Sequence, residues 1–102
     1  MILPVIAATT AAIATQVELN ADKYSGVYLV ANGLAAAEEI DIFIHTSNGW
    51  QTYRNAAGTA QVLTATITQM TLPGYLRYGF LKDATGAATT LDAYLQQSPG
   101  GA

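Results

Sequence analysis

The chain has 102 residues, which is enough for one domain and not for two. Half of them (51 %) are apolar, so a core can be filled by packing alone, and with no cysteine both disulfides and thiolate metal sites are excluded. Only 11 % are charged, against about 25 % in an ordinary soluble domain, and the four basic residues (Lys23, Arg54, Arg77 and Lys82) are scattered along a chain of net charge −3, so no basic stripe marks a nucleic-acid partner.

Residues 1–14 are apolar or hydroxylic and uncharged. No Lys or Arg precedes the run, as a secretory signal requires. It is also too short and too rich in Thr to span a bilayer, so no membrane partner is expected. The segment reads as an apolar N-terminal arm or a first edge strand. A sandwich domain then occupies 15–96, and 97–102 form a C-terminal tail in which Ser98-Pro99-Gly100-Gly101 cannot continue a strand.

Gln16-Val17-Glu18-Leu19 is the first strand within the domain, and Val27 to Ala31, apolar on both faces, is the next. Ile40, Ile42 and Ile44 then alternate with Glu39, Asp41, Phe43 and His45, which predicts a strand with one buried face. It runs into Ser47-Asn48-Gly49, where Asn-Gly tolerates the positive φ of a tight turn, so 39–46 and 50–54 are expected to pair as a hairpin. Gln61 to Met70 reads as one long strand, Tyr75 to Lys82 as an aromatic-rich one, and Leu91 to Leu95 as the last. Leu34 to Ile40 and Thr9 to Gln16 compete weakly as helical turns. Strands recurring at roughly 8–12-residue spacing with turn residues between them predict an all-β antiparallel β-sandwich of about seven strands, either immunoglobulin-like or jelly-roll.

Little in the sequence points to catalysis, and no catalytic, metal or cofactor-binding residue is assigned. His45 is the single histidine and has no nucleophile motif beside it. With Glu39 and Asp41 it would lie along one strand face, where two-residue steps of about 6.6–6.8 Å are too long to close three ligands on one ion. Glu38, Glu39 and Asp41 form the only acidic cluster, and they read as a solvated face rather than an acid–base pair. Asp83, Asp92 and Asn48 sit near turns without calcium-loop spacing. Gly26, Gly33 and Gly49 are turn glycines, not a phosphate loop. Trp50 and Tyr53 could form a sugar-stacking platform if both were exposed on one face; packing in a core or interface is the stronger expectation.

The order of short motifs carries a resemblance. Val27-Tyr28-Leu29-Val30-Ala31-Asn32-Gly33-Leu34 is followed by Glu38-Glu39-Ile40-Asp41-Ile42 and the Asn48-Gly49-Trp50 hairpin. Then come Leu72-Pro73-Gly74-Tyr75-Leu76-Arg77-Tyr78 and Lys82-Asp83-Ala84-Thr85-Gly86-Ala87. Over residues 26–88 this resembles small all-β virion proteins of tailed bacteriophages, often capsid decoration or cement proteins. The resemblance implies a non-enzymatic structural protein on the capsid exterior of a virion, with the major capsid protein as partner and, as a second partner, another copy of the chain. It transfers no site residues. The apolar run Ile2-Leu3-Pro4-Val5-Ile6 suits docking or exchange between copies, and Pro4 suits an extended or edge segment. The alternative is a receptor- or glycan-binding sandwich, such as a fibre head or adhesin module.

Overall fold

The structure, a computed structural model, describes residues 1–97. Among them are nine strands: β1 (Ile2–Thr9), β2 (Ile13–Asn20), β3 (Tyr24–Asn32), β4 (Glu39–Thr46), β5 (Gly49–Thr52), β6 (Val62–Thr64), β7 (Gln69–Pro73), β8 (Arg77–Lys82) and β9 (Thr89–Gln97). Four antiparallel ladders nest inside one another: β1 with β9, β2 with β8, β3 with β7, and β4 with β5. The chain is thus one long hairpin, folded so that successive ladders fall in alternate sheets. Sheet A has the order β1-β9-β3-β7 and sheet B the order β2-β8-β4-β5, with β6 pairing the remaining length of β4.

The hairpin tip lies where the sequence places it. Thr46 pairs with Gly49 across Ser47 and Asn48. The Thr46 hydroxyl accepts from Asn48 N–H at 3.1 Å and donates to the Gly49 carbonyl at 3.0 Å. Asn48 does not need a positive φ; Gly49 alone takes one (φ 92°), so the turn closes on a glycine.

Period-two alternation then decides what is buried. In β9, Thr89, Leu91, Ala93 and Leu95 point inward, while Asp92 and Tyr94 point out. In β4 the inward residues are Ile40 and Ile42, and in β8 they are Tyr78, Phe80 and Lys82. Leu19, Val27, Leu29, Leu63 and Leu72 complete the fully buried layer between the sheets. Each such apolar side chain contributes roughly 1.5–3 kcal/mol on burial. The Tyr78 hydroxyl donates to the Pro73 carbonyl at 2.6 Å, so its polar end is satisfied inside the core.

The fold is all-β with two antiparallel sheets, but the strand number is nine rather than about seven. One addition is β1, the edge strand of sheet A. The other comes from the stretch expected as a single strand over 61–70, which is cut in two. Thr64 Oγ1 accepts from Thr66 N–H (3.3 Å) and Ile67 N–H (3.0 Å), and Thr64 N–H donates to the Ile67 carbonyl (2.9 Å). The threonine hydroxyl replaces ladder partners and turns the chain from sheet B into sheet A. Neither weakly helical stretch is a helix. Residues 13–16 belong to β2, and Ala35 to Glu38 form a tight turn with Ala37 at φ 68°. Of the tail placed at 97–102, Gln97 ends β9, and the rest lies outside the described residues.

β1 is held to the body by Ile6, which is 2 % exposed in the core. Ile6→Ala should therefore lower the unfolding free energy by about 2–5 kcal/mol. Urea denaturation at constant m-value measures this, and an unchanged midpoint would mean that β1 is a detachable arm.

Candidate functional site

The five N-terminal residues singled out for partner contact do not act as one surface. Alternation along β1 sends Ile2 (61 % exposed) and Pro4 outward, while Leu3 and Val5 pack partly buried against the core. Ile6 would share the outward face of Ile2 and Pro4 by alternation, but a register shift between Pro4 and Ile6 turns it into the core, where it is buried. Ile2 and Pro4 instead belong to the outer face of sheet A. Across its four strands, Ile2, Tyr94, Tyr28 and Thr71 form one row, and Pro4, Asp92, Val30 and Gln69 form the next. The rings of Tyr28 and Tyr94 lie 6.1 Å apart, and the Tyr28 hydroxyl donates to Gln69 Oε1. Asp92 is the sole charged residue in the four strands of this sheet.

The outer face of sheet B has a different chemistry. Phe43, Trp50, Val62 and Leu81 form a half-buried apolar centre. Around it lie Glu18 and Arg77, which form the one ion pair among the described residues, together with Glu39 and the exposed His45, while Asp41 sits in the row between Val62 and Leu81. Trp50 packs edge-on to His45 with centroids 4.9 Å apart. The indole also reaches over β8 at Gly79. A Cβ there would sit 2.9 Å from Trp50 Cζ3 and 2.8 Å from Gln16 Cβ, so only glycine lets both side chains lie on the sheet. Tyr53 points the other way. Its N–H donates to the Ile42 carbonyl at 2.9 Å, and its ring packs edge-on against buried Tyr78 at 5.9 Å. Trp50 and Tyr53 therefore share no face, and the two-ring platform is not formed. Sequence reasoning missed Gly79, Gln16 and Leu81 as parts of this surface. Alternation within Tyr75 to Lys82 was the available signal, because it puts Arg77, Gly79 and Leu81 on one side.

At one end of the sandwich, Ala37, Glu38, Glu39, Asp83, Ala84 and Thr85 line a shallow cavity of about 230 Å³. Of its three carboxylates, that of Glu38 is committed to structure. Glu38 accepts from Ala35 N–H at 2.7 Å through one oxygen and from Gly86 N–H at 2.9 Å through the other, clasping two loops together. These two bonds, with a smaller contribution from Lys82, hold its carboxyl below the usual range. Below the loops, Lys82 is buried, its ammonium donating to the Asp83 carbonyl and Thr85 Oγ1, both at 3.3 Å. Buried Thr89 donates to Thr85 Oγ1 at 3.0 Å. Glu39 and Asp41 stand on the outer face of β4. Burial, then the Asp41 charge, raises Glu39; burial likewise raises Asp41, with Asp83 adding to it and a hydrogen bond from Glu39 opposing it. No set of three His, Cys, Asp or Glu among the described residues is arranged to hold a metal ion, and no helix is long and apolar enough to cross a membrane.

No family model matches the chain, and no curated protein matches it. Among solved structures, the SPBc2 prophage-derived protein YomS is similar in fold, with a TM-score of 0.63 over 93 % of this chain and 90 % of that one, at 12 % sequence identity. The likeness is one of fold alone.

Because Glu39 and Asp41 bind protons more tightly in the folded state, their stabilising effect is present at low pH and is lost as pH rises through their raised pKa values. Glu38 has the opposite sign: its contribution is present above its ordinary value of 4.5 and disappears as pH falls. Asp41→Asn removes the repulsion within the outer-face pair. It should raise the melting temperature at neutral pH, and the gain should vanish near about pH 3, where the wild-type carboxyls are already protonated. Paired thermal melts at the two pH values check this.

Proposed function

We propose that the chain is a structural protein of a bacteriophage particle, one that binds the outside of the capsid and cements neighbouring major capsid subunits. The observation that carries the reading is the outer face of sheet B. An aromatic and aliphatic centre (Phe43, Trp50, Leu81) ringed by an Arg–Glu pair and further charges is how a specific protein–protein interface is built. The face is a sheet surface, and the cavity at the sandwich end meets it only at its margin, at Glu39, which suits contact by area with another protein. We also read the fold as a jelly roll. With β6 set aside, the remaining strands run first-eighth-third-sixth in one sheet and second-seventh-fourth-fifth in the other. That is the order made by rolling up a four-ladder antiparallel ribbon, an architecture found in viral capsid and lectin domains. The prophage source of a protein with a similar fold points the same way at the level of analogy.

The receptor or glycan reading has less behind it, since the Trp50–Tyr53 pair it needs faces opposite sides of sheet B. The experiment that tests the proposal uses particles of the phage concerned, prepared without the protein. Purified chain should sediment with them, and Trp50→Ala should weaken that binding by about a hundredfold or more, as loss of a central aromatic anchor does. Bound chain should show a blue shift in the emission of its single tryptophan. Particles lacking the protein should rupture at lower temperature and pressure than complete ones; equal resistance sinks the function.

A further inference from the structure

We infer that the outer face of sheet A is the contact between two copies of this chain, joined face to face about a two-fold axis near the Tyr28–Tyr94 pair. Charge is the first argument. Of the eleven Asp, Glu, Lys and Arg residues (seven acidic and four basic), Asp92 alone lies in the strands of this sheet. Two copies of net charge −3 repel, but meeting through sheet A keeps their other charged residues out of the contact, on loops and on the far sheets. A nearly uncharged face with an aromatic centre favours self-association, whereas heterologous contacts lean on charge complementarity for specificity.

Size is the second argument. Four strands about 4.8 Å apart, mostly eight or nine residues long at about 3.3 Å each, give a flat footprint of roughly 500 Å². Side-chain relief raises this towards the ~800 Å² per partner of a stable interface. Ile2, at 61 % exposed, and Tyr94, at 39 %, supply the apolar contact together with half-buried Tyr28 and Val30. The third argument concerns the edges. Pro4 removes a donor from the middle of edge strand β1, and the other edge, β7, is five residues long and ends in Pro73. Both edges resist strand-to-strand extension, which leaves the face as the surface for association.

Asp92 lies one two-residue step from the tyrosine row and has no ion-pair partner among the described residues. A dimer of this geometry partly desolvates it without compensation, which sets the direction of the test. A partner that offered Asp92 a basic residue would give the reverse.

The inference stands apart from the capsid reading, because the isolated full-length chain suffices to test it. Sedimentation velocity from about 1 µM to about 1 mM should show a concentration-dependent dimer. Asp92→Asn, isosteric and uncharged, should tighten it about tenfold. Tyr94→Asp should weaken it by a hundredfold or more, and Trp50→Ala, on the opposite sheet, should leave it unchanged. Should Tyr94→Asp fail to fold by circular dichroism, Asp92→Asn decides alone. A chain that stays monomeric to about 1 mM overturns the inference and leaves the face to a partner of different sequence. A dimer that Asp92→Asn weakens, or that Trp50→Ala breaks, overturns it as well.

Discussion

Everything in this fold depends on register at one turn. Because the four ladders are nested, the pairing of β4 with β5 across Ser47 and Asn48 fixes which residues of the two half-chains can meet further out. A slip of one residue would send every side chain of a strand to the opposite face. Ile40 and Ile42 would then point to water, and Asp41 and Phe43 into the core. Thr46 and Gly49 prevent this locally, the first by its two hydrogen bonds and the second by a backbone conformation most residues avoid. The outermost ladder, β1 on β9, joins the two ends of the chain and carries two register irregularities in eight residues. It closes the longest loop, so it depends most on the ladders inside it.

Rolling the ribbon up also sorts its chemistry. Odd-numbered ladders supply one sheet and even-numbered ladders the other, so the composition of alternate chain segments becomes the composition of a face. β1, β3, β7 and β9 are rich in apolar and hydroxylic residues, while β2, β4 and β8 hold Glu18, Glu39, Asp41, Arg77 and Lys82. The low charge of the chain is therefore unevenly distributed. One outer face is close to neutral, and the other has an aromatic centre with a charged rim. This difference in character is what underlies the two proposed contacts, one homotypic and one heterologous.

The end of the sandwich beyond β8 shows how a group of ionisable residues can be structural. Lys82 continues the inward-facing series of Tyr78 and Phe80, so its long stem packs in the core while its ammonium caps the loop at Asp83 and Thr85. Glu38 does the same from the other side with two backbone donors. These bonds tie residues 35–38 to residues 83–87 and close the barrel-like end over Thr89. The acidic residues Glu39 and Asp41 sit outside the clasp, and their mutual repulsion is tolerated because both face solvent at least in part.

Much of the fold was legible in the sequence: the alternation in 39–46, the Asn48-Gly49 tip, and the aromatic strand ending at Lys82. These are local patterns, set by which side chains tolerate a pleated, one-sided burial and which backbone tolerates a tight turn. The break at Thr64 to Ile67 was not legible, because no glycine, proline or asparagine marks it. A threonine hydroxyl turned the chain there only because a place in sheet A was waiting for Met70 and Leu72. The left-handed conformations of Ala37 and Tyr75 were equally hidden (φ 68° and 64°), since tertiary contacts impose them on residues that would not choose them. For the surfaces, the sequence by itself determined that the chain is poor in charge, with a single histidine and no cysteine. Only the tertiary structure decided that Trp50 faces outward over Gly79, that Tyr53 turns inward, and that the apolar N-terminal run divides between core and surface. The physical reason is that alternation gives each residue one of two faces, but which face meets the core depends on a partner sheet distant in sequence.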